Sequence, residues 1–139
     1  MRGRTALLAP ALILALPVLI AGCRTGTTAY APVENVRYAA IGQDPFWMVT
    51  IGDDRIVLRL GGEAGEGVNE AVWPRTLPRT VDGVRTWESG EGTRVIAIES
   101  RPGPCTGARG RRYQDNVRVR LSGRELTGCG GRLLADYRE

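Results

Sequence analysis

After residue 35, apolar residues come either in alternation with polar ones or in short runs, and no stretch keeps the 3.6-residue period of an amphipathic helix. Val36-Arg37-Tyr38-Ala39-Ala40-Ile41 leads into the turn signal Gly42-Gln43-Asp44-Pro45, where proline fixes φ and Asp bonds its own backbone. Phe46 to Ile51 and Arg55 to Leu60 flank Gly52-Asp53-Asp54 and predict a hairpin. Phe46, Met48 and Thr50 would share one face, and Trp47, Val49 and Ile51 the other. Weaker strands are expected at Val68 to Val72, at Thr80-Val81 and, across the tight-turn pair Asp82-Gly83, at Val84 to Trp87. Thr93 to Ser100 is the strongest strand and is expected at the centre of the sheet. Arg101 to Gln114 reads as a long loop, and Asn116 to Leu121 with Arg124 to Cys129 as a last hairpin across Ser122-Gly123. In it Val117, Val119 and Leu121 face inward, while Arg118 and Arg120 face water. For the tail from Gly130 to Glu139, a turn of helix and a short strand both remain open. The pattern predicts an all-β domain, a small antiparallel barrel or curled sheet of seven or eight short strands.

The beginning of the chain follows a different pattern. Arg2 and Arg4 precede an apolar run from Ala6 to Ile20 that is interrupted by Pro10 and Pro17. A spanning helix needs about 20 apolar residues, and this run is too short and too broken for one. A basic start, a short apolar middle and small residues before a cut suit an export signal. Leu19-Ile20-Ala21-Gly22-Cys23 resembles the bacterial lipoprotein signal, in which the Cys23 thiol takes a diacylglycerol and becomes the first residue. The expected division is a signal peptide at 1–22, a lipidated flexible tether at 23–35 and one β-domain at 36–139. By resemblance to lipoprotein sorting in many Gram-negative envelopes, Arg24 rather than Asp after the cysteine implies the outer membrane, facing the periplasm.

Processing changes the composition that matters. The remaining 117 residues make one domain and carry 17 Arg against 15 acids, a smaller excess than the full chain shows. There is no His, and hence no side chain whose unperturbed pKa lies near neutrality. Of three cysteines, lipidation would use Cys23, leaving Cys105 and Cys129 as the pair available in an oxidising compartment. Closing that 24-residue separation contributes about 3 kcal/mol through the unfolded chain.

Ile41-Gly42-Gln43-Asp44-Pro45-Phe46-Trp47, a cysteine followed by Tyr113 and Val117, and a closing Gly128-Cys129-Gly130 resemble a family of bacterial envelope lipoproteins of unassigned activity. Its members carry Pro-Phe-Trp, then Cys-x-Asp-Gly-Met-Ser-x-x-x-Tyr, then Gly-Cys-Gly or Gly-Cys-Ala, and often accompany META-type domains of heat-inducible lipoproteins. The resemblance covers roughly Tyr38 to Gly131, and it implies neither an enzymatic role nor a ligand. This chain departs from it in Cys105-Thr106-Gly107-Ala108-Arg109-Gly110-Arg111-Arg112-Tyr113, where a basic segment replaces the acidic one.

Candidate chemistry is sparse. Nucleophilic catalysis lacks a His or Lys base, paired Asp residues in turns have conformational reasons to be there, and scattered acids make no metal site. The glycine-rich stretch from Gly61 to Gly67 holds Glu63 and Glu66, which would repel a phosphate. Trp47 with Phe46 reads as core or as an aromatic platform, and Trp73 and Trp87 as core or as partly exposed lids. Arg109, Arg111, Arg112, Arg118, Arg120 and Arg124, opposed nearby only by Asp115 and Glu125, read as a solvated face or as a surface for an anionic glycan or lipid headgroup. The expectation is a non-catalytic binding or structural module of the envelope, without cofactor, metal or nucleic acid. It would meet the membrane through its lipid and could meet another envelope protein through its surface. The alternative is an inhibitor of a cell-wall hydrolase such as lysozyme, although excess positive charge would steer it poorly towards a basic enzyme.

Overall fold

A computed structural model describes residues 33–61 and 68–135. The expected signal peptide, the lipidation site Cys23, most of the tether and the end of the tail lie outside the described residues. Among those described, nine antiparallel strands form one curled sheet. They are β1 (Tyr38–Gly42), β2 (Trp47–Ile51), β3 (Arg55–Leu60), β4 (Asn69–Pro74), β5 (Arg79–Val81), β6 (Val84–Ser89), β7 (Ile96–Thr106), β8 (Arg112–Leu121) and β9 (Arg124–Leu133).

Strand order is β4-β3-β2-β1-β9-β8-β7-β6-β5, two meanders joined where β1 pairs with β9 through Ala40 opposite Gly130 and Ile41 opposite Cys129. Curling follows from the connection between the edges. A flat sheet with eight interstrand gaps would hold β4 and β5 about 38 Å apart, at about 4.8 Å per gap. From Pro74 to Arg79 there are five Cα steps, which reach at most about 18 Å. The edges must therefore approach, and side chains bridge the seam. Trp73 Nε1 donates to the Arg94 carbonyl at 2.7 Å, and Ser89 Oγ to the Pro74 carbonyl at 2.7 Å.

Alternate residues of each strand fill the concave side. Tyr38, Trp47, Val49, Ile51, Ile56, Leu58, Ile96, Ile98, Val119 and Leu126 are buried in one cluster. The indole of Trp47 lies across two glycines: a Cβ on Gly42 would fall 2.0 Å from its Nε1, and one on Gly128 would fall 2.8 Å from its Cζ2. Its Nε1 donates to the Thr127 carbonyl at 3.3 Å. The two ends of the domain, Gly42-to-Trp47 and Gly128-Cys129-Gly130, thus form one packing unit around an indole.

The structure corrects the sequence reading in three places and decides the tail, which the sequence left open. There are nine strands rather than seven or eight, because every expected segment pairs with a neighbour, including Arg79–Val81, which is only three residues long and still pairs fully with β6 across Asp82-Gly83. The middle of the sheet is β9 rather than the strand containing Ile96 and Ile98, because β1 and β9 join the two meanders. Arg101 to Gln114 is not a long loop: β7 runs on to Thr106 and β8 begins at Arg112. Proline tolerates the extension because a bulge between Pro102 and Cys105 interrupts the ladder there. The tail starts as strand, with Gly130 to Leu133 continuing β9.

Candidate functional site

The extended β7–β8 hairpin borders the candidate site among the described residues. Its bulge is fixed by Asn116 Nδ2 donating to the Gly103 carbonyl at 3.0 Å. Beyond it, Cys105 reaches across the intervening β8 to Cys129 on β9, closing the expected disulfide with Cα atoms 5.5 Å apart. Cys129 is 3% exposed although it alternates with the inward residues Gly128 and Gly130, so the hairpin tip covers it from outside.

The tip is a short 3₁₀ turn, Ala108–Gly110, closed at its base by the Gly107 N–H donating to the Arg111 carbonyl at 2.7 Å. Between this tip, the end of β1 with Gln43, and Thr127 to Cys129 of β9 lies a cleft of about 750 Å³. Ile41, Gly128 and the disulfide give it an apolar floor, and the Tyr113 ring forms part of its wall. Gln43 and Asn116 contribute amides, while Arg109 and Arg111 bring positive charge.

The arginines named from sequence separate into two groups. Arg118 and Arg120, on the water-facing side of β8, pair with Glu125 at 3.4 Å and with Glu99 at 3.9 Å. Arg109, Arg111, Arg112 and Arg124 make no ion pair among the described residues. Only Arg109 and Arg111 of the whole set line the cleft. Arg109 also adopts φ 58°, ψ 28°, the left-handed region that glycine or asparagine occupies at lower cost.

The tryptophans do not form a surface. Trp47, Trp73 and Trp87 are 1%, 7% and 4% exposed, because Trp47 packs across Gly42 and Gly128 and the curl brings β4 and β6 together over the other two. For the three tryptophans core therefore replaces the platform and lid readings, whereas Phe46, read together with Trp47, is exposed. Asp115 does not balance the basic face either, since its side chain points into the barrel and is 3% exposed. Its Oδ2 lies 3.0 Å from the Tyr38 hydroxyl, 3.0 Å from Ser100 Oγ and 3.1 Å from a terminal guanidinium nitrogen of Arg85. The Arg85 guanidinium sits over the Tyr38 and Trp87 rings, 5.1 and 5.4 Å from their centroids. Burial, reinforced by the Asp115 carboxylate, pushes the Tyr38 phenol well above its ordinary pKa, so it remains a donor. Ser100 has no exposed surface, and this polar group acts as a core tie rather than a reaction centre.

Sequence reasoning missed Gln43, Asn116 and Tyr113 as cleft residues and this interior network. Only the network left a signal: counting back by twos from the inward Val119 and Val117 reaches Asp115. Among the described residues no group of three or more Cys, Asp or Glu side chains is placed to hold a metal. Comparison with family models, curated proteins and solved structures gives no match.

Proposed function

We propose that this protein is a bacterial envelope lipoprotein, anchored through Cys23 to the periplasmic face of the outer membrane, that works by binding rather than by catalysis. The observation that carries the binding part is the cleft of about 750 Å³ in which Arg109 and Arg111 stand without carboxylate partners among the described residues. Its size falls in the range of about 300–1,000 Å³ typical of small-ligand sites. Disulfide, bulge and hairpin hold the floor and walls in place, so a ligand would order little on binding. The anchor rests on the basic start, the interrupted apolar run and Ala21-Gly22-Cys23. Binding is preferred over inhibition of a lysozyme because the protruding hairpin tip is positive and would meet a basic enzyme with like charge.

Two measurements test the reading. Intact mass of the membrane-purified protein should match an acylated chain beginning at Cys23, with no alkylation until reduction. An unprocessed chain with free thiols would refute the anchor and remove the oxidising compartment. Binding of small anions by the detergent-solubilised full chain should weaken as salt rises, and a wild-type protein that binds none of them would refute the cleft.

A further inference from the structure

We infer that the cleft takes an acidic saccharide, a sugar ring bearing a carboxylate, with Arg109 and Arg111 holding the carboxylate and Tyr113 supporting the ring; this rests on the binding role proposed above. Three features of the cleft converge on that chemistry. First, its cations are both arginines, whose planar forks match a carboxylate in two parallel hydrogen bonds. Second, the walls carry the amides Gln43 and Asn116, which donate and accept in the way sugar hydroxyls require. Asn116 spends one N–H on Gly103, and its carbonyl oxygen remains an acceptor. Third, the floor and wall are apolar and partly aromatic. The Tyr113 ring lies close beside Gly107, where a Cβ would fall 3.0 Å from Cε2. A sugar has an apolar C–H face and a polar rim, and this cleft has both counterparts.

The concave shape argues against a membrane surface as the occupant. A bilayer would meet the protruding tip and the outward Arg112, and it would leave the floor of Ile41 and the disulfide untouched. The backbone at Arg109 points the same way. Arginine there sits at φ 58°, next to Gly110 at φ 70°, so a side chain is kept where glycine would relieve the backbone.

The test is calorimetric titration of the detergent-solubilised full chain with trigalacturonic acid, its methyl ester and glycerol 3-phosphate. The acid should bind about tenfold or more tightly than the ester. Arg111→Ala should lower affinity for the acid by a similar factor, and Arg118→Ala should leave it unchanged. Arg109→Gly should melt at the same temperature as wild type or higher and yet bind the acid more weakly, which a purely structural role for Arg109 would not produce. Tyr113→Leu should weaken the trisaccharide more than it weakens glycerol 3-phosphate. Equal binding of acid and ester overturns the carboxylate assignment and leaves a cleft that binds sugars. Tighter binding of glycerol 3-phosphate than of the acid, lost in Arg111→Ala, overturns the saccharide and leaves an anion-binding cleft. No binding of any of the three by wild type overturns both this inference and the function it rests on.

Discussion

Arginines stand in three different environments in this molecule. On the outer side of β8, Arg118 and Arg120 stand opposite Glu125 and Glu99, at 50% and 49% side-chain exposure. Pairs of that kind, half in water, hold strands in register and little else. Around the hairpin tip, Arg109 and Arg111 have no such carboxylates among the described residues, and one of them sits on a backbone that disfavours it. Inside the barrel, Arg85 shows the opposite extreme, lying over two aromatic rings and bonded to the buried Asp115. Three arginine environments separate three roles: register, core tie and the proposed ligand recognition. Charge density alone, as read along the sequence, merges the first with the third.

Variants can break this comparison, starting with the core tie. Asp115→Asn should cost about 3 kcal/mol, the lower end for breaking a buried pair, because the Arg85 side chain is 40% exposed and recovers some hydration. Urea unfolding would measure it, and a loss below about 1 kcal/mol would mean that Asp115 is dispensable. Next comes the disulfide. Cys105→Ser with Cys129→Ser should cost about 3 kcal/mol for the 24-residue separation. It should also loosen the cleft, since Cys105 and Cys129 form its floor. Loss of stability without loss of binding would detach the cleft from its brace.

Tyr38 gives a smaller effect with a definite sign. Its pKa is raised on folding by burial first, so above the ordinary phenol value of about 10 the folded chain holds a proton that the unfolded chain releases. That stabilisation is complete below about pH 10 and declines as pH rises further. Tyr38→Phe should flatten the alkaline limb of the stability profile, and an unchanged slope would contradict the burial. The smallest effect belongs to the paired face. Arg118→Ala should change stability by less than about 1 kcal/mol, checked by the same unfolding measurement.

Much of this architecture was legible in the sequence. Alternation through Val117, Arg118, Val119 and Arg120 gave the inward and outward faces of β8, and cysteine arithmetic gave the Cys105–Cys129 bond. Alternation carried back two residues further also reaches Asp115. What stayed hidden depends on contacts distant in sequence. Trp73 and Trp87 lie in weakly patterned strands and become core only when the curl joins β4 to β6 through Arg94 and Pro74. The β7 extension was obscured by Pro102 and Pro104, which usually end strands and here sit at a bulge. The cleft draws Gln43 from the turn after β1 and Arg111 and Asn116 from the β7–β8 hairpin, and no local spacing marks the first as a neighbour of the other two.

The most direct measurement compares two double variants of the full chain, Arg109→Ala with Arg111→Ala and Arg118→Ala with Arg120→Ala, in titration with trigalacturonic acid at one salt concentration. Both remove two positive charges. Affinity should fall about tenfold or more in the first pair and stay at the wild-type value in the second. An equal fall in both would show that net charge attracts the ligand and that the cleft does not recognise it.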